Sequence, residues 1–126
     1  MAATSPRKIA QIAIAVRDLE RAKAFYRDVL GLVWIADAPP GLSFFQCGEV
    51  RLMLSQPEGP ETAGNSILYY AVDDAQAAHD ALIAQGVTFD AEAHVVGRLG
   101  DKEVSLAVCR DSEGNLLGLM SERAAT

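Results

Sequence analysis

The 126-residue chain contains two cysteines, Cys47 and Cys109, too few for a disulfide framework and without the close spacing of a paired-cysteine metal motif. Both stand in strand-like segments and read as buried thiols. Lys and Arg form no cluster. Eleven basic residues stand against 17 acidic ones, and the formal charge of −6 would repel a phosphate backbone, so nucleic acid is not an expected partner. The acidic surface keeps the chain soluble and would draw cationic small molecules sooner than anions. No apolar run approaches the ~20 residues that cross a bilayer, and the opening "MAATSPRK" carries no apolar signal core. The expected setting is cytoplasmic and reducing, with no membrane partner. The glycines form no phosphate-binding fingerprint, and Ser55, Ser66 and Ser105 lack a nucleophile-elbow context.

What is present fits one folded domain: half of the residues are hydrophobic and 22% are charged. Ile9, Ile12, Ile14 and Val16 make a β-branched strand. Asp18 then supplies a helix cap, and Leu19, Ala22, Phe25, Tyr26, Val29 and Leu30 recur at helical spacing until Gly31. Three short β-rich runs follow, broken at Pro39-Pro40-Gly41 and at Gly48. The stretch "QPEGPETAGN" at 56–65 reads as an exposed connection.

Beyond it the pattern returns. "VRDLERA" at 16–22 and "VDDAQAA" at 72–78 align, as do Gly31 and Gly86. A short strand near 87–90, an irregular stretch around "AHVVGRLGDK" and a hairpin from Glu103 to Met120 turning at "DSEGN" complete the second copy. The chain thus reads as α+β, with two βαβββ modules at about 8–55 and 66–122. One helix cannot cover both faces of four strands. The modules are therefore expected to form a curved eight-stranded mixed sheet around a cavity, with the helices outside.

Alternation along the strands predicts which side chains face that cavity. Large residues (Ile12, Ile14, Leu52, Leu54, Leu68, Tyr70, Leu117, Leu119) are assigned to the helix side, and in the hairpin Val104, Leu106 and Val108 join them. The opposite parity lines the cavity with Gln11, Met53, Ile67, Tyr69, Ser105 and Met120, with Arg51 and Glu103 toward its rim. Phe44 or Phe45 adds an aromatic wall.

"IAQIAIAVRDLERAKAFYRDVLGL" resembles the opening of the vicinal oxygen chelate superfamily, which includes glyoxalase I, extradiol dioxygenases and bleomycin-resistance proteins. "RDSEGNLLGLMSE" resembles the Asp-Pro-x-Gly-Asn hairpin of that superfamily, with Ser112 where proline is usual. The resemblance covers nearly the whole chain and specifies fold more than function.

It implies a metal position whose ligands would fall on Gln11, on or near Met53, near Ile67, and on Gly118. Of these only Gln11 is able to coordinate, so no metal and no cofactor is expected. A slip along the last strand would bring in Glu122 instead.

The expected function is metal-independent binding of an amphipathic small molecule in the cavity, through Gln11, Phe44, Phe45, Arg51, Met53, Ile67, Tyr69, Ser105, Gly118 and Met120. Family habit implies a homodimer. The alternative is an isomerase or lyase using His94, Tyr69 and Glu103 as acid-base groups, or an atypical metal site at Gln11. A scaffold whose cavity is filled by its own side chains is the third possibility. His79, on the second helix, reads as structural.

Overall fold

The computed structural model describes residues 9–56 and 67–124. The expected connection at 56–65, apart from Gln56, lies outside them. Backbone proximity divides the chain into two units, 1–64 and 65–126.

In the first unit β1 (Gln11–Ala15) leads through α1 (Leu19–Ala24) and a π-helical turn (Phe25–Val29) to β2 (Val33–Ala38), β3 (Leu42–Cys47) and β4 (Val50–Ser55). The sheet order is β1-β4-β3-β2, with β1 parallel to β4 and the other pairs antiparallel. The second unit repeats this plan with β5 (Leu68–Ala71), α2 (Ala75–Ala84), β6 (His94–Leu99), β7 (Lys102–Arg110) and β8 (Leu116–Ala124), in the order β5-β8-β7-β6. Each unit is therefore one βαβββ module carrying a four-stranded mixed sheet.

Local chemistry starts and stops the helices where the sequence places them. Asp18 Oδ1 accepts from the Arg21 N–H at 3.1 Å, and Asp74 Oδ1 accepts from Gln76 and Ala77 at 2.9 and 3.2 Å. Such caps satisfy orphan donors and contribute about 1 kcal/mol each. Gly31 and Gly86 end the two helical segments at φ +77° and +89°, where a Cβ would be strained. One detail differs from the expected helix. After Ala24 the coil widens, the Leu30 N–H bonds the Phe25 carbonyl, and Phe25 and Tyr26 are both buried.

α1 packs on β3 and β4, and α2 on β7 and β8. Tyr26 of the π-helical turn and Phe45, Leu52 and Leu54 of the sheet beneath it are almost wholly buried. At about 2 kcal/mol per fully buried Leu, this face supplies much of the unit's stability. Cys109, Ala107, Leu117 and Leu119 do the same beneath α2. The second hairpin turns on Asp111, whose Oδ1 accepts from the Glu113 and Asn115 N–H groups at 2.8 Å each, while Gly114 takes φ +83°.

Three strand expectations are corrected. The strand expected near 87–90 is a single bridge, Phe89 to Cys109, and the stretch read as irregular contains β6. Among the described strands β6 pairs with β7 alone, and every one of its residues is exposed, so it carries no alternating signal. The faces of β7 are reversed. Its continuous register with β8 pairs Ala107 with Leu119 and Cys109 with Leu117, which puts this parity toward α2, and Leu106 and Val108 opposite Met120 and Gly118 on the other face. The reason is volume: leucines from β8 occupy the space under α2, so β7 contributes small residues there. Ser105 and Glu103 go with the small set. Ser105 pairs with Ser121, whose hydroxyl accepts from the Ala75 N–H at the start of α2.

Candidate functional site

On the face of the first sheet turned away from α1, cross-strand registry sets three rows of side chains. Gln11, Arg51 and Gln46 form one, Ala13, Met53 and Phe44 the next, and Ala15, Ser55 and Leu42 the third. The two alanines leave room that a larger side chain would take. A recess of about 420 Å³ lies here, lined by Gln11, Ile35, Phe44, Gln46, Arg51 and Met53. Its size is that of a small-molecule pocket.

The polar end of the recess is ordered. Arg51 Nε donates to Gln11 Oε1 at 2.6 Å, and Gln11 Nε2 lies 3.7 Å from Met53 Sδ. The guanidinium carbon of Arg51 is 5.7 Å from the centre of the Phe44 ring, within cation–π range. Gln46 Nε2 donates to the Gly48 carbonyl at 2.6 Å. Gln11 thus joins an amide, a guanidinium and a thioether in one contact chain.

The structure separates two aromatics that the sequence left as alternatives. Phe44 is in the recess, whereas Phe45 is fully buried on the helix side, 6.4 Å from the Tyr26 ring. Phe45 is core. Ile35 and Gln46 line the recess without having been foreseen. Gln46 shares the parity of Phe44 in β3 and was detectable on that ground. Ile35 was not, because β2 shifts register between Trp34 and Ala36 and alternation fails there.

In the second unit, the face turned away from α2 carries Tyr69, Gly118, Leu106 and Met120. Tyr69 is half exposed. Ile67, just before β5, is also exposed. His94 and Ser105 line a different recess, of about 370 Å³, beside Asp73, Asp74, Ser121 and Glu122 at the start of α2. The His94 ring donates from Nδ1 to the Glu92 carbonyl at 3.0 Å. Glu103 is ion-paired with Arg123 at 2.9 Å. Tyr69 and His94 stand on the two outer strands of their sheet, three strand spacings or ~14 Å apart. His79 is buried edge-on against Phe89 at 4.5 Å. The acid-base residues are not brought to one point.

A second ordered cluster ties α1 to β2 on the helix side. Lys23 Nζ donates to Asp37 Oδ2 at 2.6 Å, and Trp34 Nε1 donates to Asp37 Oδ1 at 3.1 Å and to Ser43 Oγ at 3.2 Å. The hydrogen bond from Lys23, then that from Ser43, holds the Asp37 carboxyl below its ordinary range, and the same ion pair raises the Lys23 ammonium.

The sequence profile of the Glyoxalase/Bleomycin resistance protein/Dioxygenase superfamily matches residues 8–119. The chain belongs to this superfamily. Solved structures agree on the fold. Lactoylglutathione lyase from Agrobacterium tumefaciens is 24% identical over 93% of this chain and 95% of its own, with a TM-score of 0.72. A member of the same superfamily from Sphaerobacter thermophilus is 19% identical over 92% and 98%, with a TM-score of 0.78. An integron cassette protein from the mobile metagenome of V. cholerae is 19% identical over 94% and 97%, with a TM-score of 0.77. Among curated proteins none matches the chain.

The superfamily's metal positions, carried over by resemblance, fall on Gln11, on or near Met53, near Ile67 and on Gly118. Gln11 Oε1 accepts from a guanidinium, Met53 offers a thioether, and Ile67 and Gly118 have no side-chain donor atom. Among the described residues no group of three or more His, Cys, Asp or Glu is placed to hold a metal ion.

Proposed function

We propose that this superfamily member is a metal-independent small-molecule binding protein, cytoplasmic and homodimeric, that seats an amphipathic ligand against the open face of its first sheet. The observation that carries this reading is the recess of about 420 Å³, with Phe44, Met53 and Ile35 at its apolar end and Gln11, Gln46 and Arg51 at its polar end. Binding by enclosure needs no reactive group, and among the described residues none is assembled at this recess. A cation at Gln11 would stand beside the Arg51 guanidinium and would gain no anionic ligand from the described lining residues.

The test combines metal analysis of the purified protein with fluorescence titration by 2-naphthamide, a neutral amphipathic probe. Saturable binding that Phe44→Ala and Met53→Ala weaken severalfold, on protein containing no stoichiometric metal, is the expected result. Stoichiometric Ni, Zn, Mn or Fe overturns metal independence. Binding unaffected by both substitutions overturns the site. Sedimentation of the protein as a monomer at micromolar concentration overturns the dimer.

A further inference from the structure

We infer that the ligand of this recess is an anion, a small carboxylate or phosphate ester with an apolar body, and that Arg51 is the residue that selects it. The inference rests on the binding reading above and adds the sign of the ligand's charge. Among the described residues that line the recess Arg51 is the one charged residue, and none is a carboxylate. This is notable in a chain with 17 acidic residues, whose Lys23, Arg27, Arg110 and Arg123 are all ion-paired. Among the described residues Arg51 has no carboxylate partner.

The geometry of the side chain fits recognition better than solvation. Gln11 engages Nε, and the Phe44 ring lies within cation–π range of Cζ, so two neighbours fix the plane of the guanidinium. The four N–H groups on the two terminal nitrogens have no acceptor among the described residues. A guanidinium held in this way presents a flat fork of donors that matches two oxygens of a carboxylate or phosphate, and little side-chain freedom remains to be lost on binding. The apolar remainder of the ligand would lie over Phe44, Met53 and Ile35. The net charge of −6 opposes an anion only at long range and is screened beyond ~8 Å at physiological salt. At contact distance the guanidinium dominates.

Titration of the full chain with 2-naphthoate, 2-naphthamide and 2-naphthylmethylammonium compares one apolar body bearing three charges. The expected order is naphthoate tighter than the amide by about tenfold, with the ammonium weakest, and the advantage shrinks as salt rises. In Arg51→Met the naphthoate advantage disappears, and in Arg51→Lys part of it is kept. In Arg98→Met, which removes one positive charge from the exposed edge strand of the other unit, it stays whole. Equal affinity for the three probes, preference for the ammonium, or loss of the advantage in Arg98→Met as well overturns the assignment to Arg51. Equal affinity leaves the binding reading standing, whereas failure of all three probes to bind overturns both. Unfolding midpoints of the variants confirm that each is folded under the titration conditions.

Discussion

The ring of Tyr69 fills the space in which a side chain at Gly118 would stand. A Cβ on Gly118 would run into that ring, lying 2.8 Å from its Cε1 atom and 3.2 Å from Leu106 Cδ1. The first unit solves the same position in reverse: its equivalent cross-strand pair is Ala13 with Met53, small on the outer strand and large on the inner one. Gly118→Ala is therefore expected to push the half-exposed Tyr69 ring aside and destabilise the protein by about 1 kcal/mol. Urea unfolding measures the loss. Adding Tyr69→Ala removes the clash, so the two changes together should cost less than the sum of the single ones; strict additivity would show that the ring and the glycine do not compete for space.

Gln11 anchors Arg51 while remaining exposed itself. Gln11→Ala is expected to change stability by no more than about 0.5 kcal/mol, while weakening 2-naphthoate severalfold because the guanidinium loses the contact that orients it. Calorimetric titration beside a denaturation curve separates the two effects. A large folding loss with unchanged affinity would contradict this role.

The cysteines differ in reactivity. Burial, reinforced by Asp111 and Asp90, pushes the Cys109 thiol up to about 11, whereas Cys47 is half-buried. At pH 8 a disulfide reagent is expected to modify one thiol per native chain, at Cys47, and to reach the second only on unfolding. Two fast thiols in the native protein would refute the buried placement of Cys109.

Acid is expected to loosen the attachment of α1 to β2. The Asp37 carboxyl lies below its ordinary value, so its contribution is complete above the unfolded pKa near ~4 and is lost as pH falls through the lower folded value. The Lys23 ammonium lies above its ordinary value, so its contribution is complete below ~10 and is lost as pH rises through the higher folded value. The Asp37 side chain is 44% exposed and screened by solvent, which limits the pair to about 1 kcal/mol or less. Asp37→Asn should flatten the acid limb of a plot of unfolding free energy against pH. An unchanged limb would remove Asp37 from the acid response.

Much of the site could be read from strand alternation, and its failures have specific causes. Gln11, Arg51 and Met53 alternate with Ile12, Leu52 and Leu54, small or polar against large and apolar, and this contrast identifies the open face correctly. Phe44 and Phe45 are both aromatic and adjacent, so alternation sets them on opposite faces without saying which face is which. Registry with Met53 and Leu52 decides it. In β7 the rule that large residues face the helix misassigns Glu103 and Ser105, because the leucines of β8 already fill that space. At Ile35 a register shift removes the parity signal altogether.

Signals carried by neighbouring residues need no partner to act. The caps at Asp18 and Asp74, the stops at Gly31 and Gly86, and the twofold repeat of the module follow from backbone donors, permitted dihedrals and side-chain period, all of which operate within a few residues along the chain. The orientation of each strand's face, the pinning of Arg51 by Gln11 across 40 residues, and the filling of Gly118's space by Tyr69 required the strands to be paired. They depend on which volumes and donors are left over once distant segments meet, and no local pattern contains that remainder.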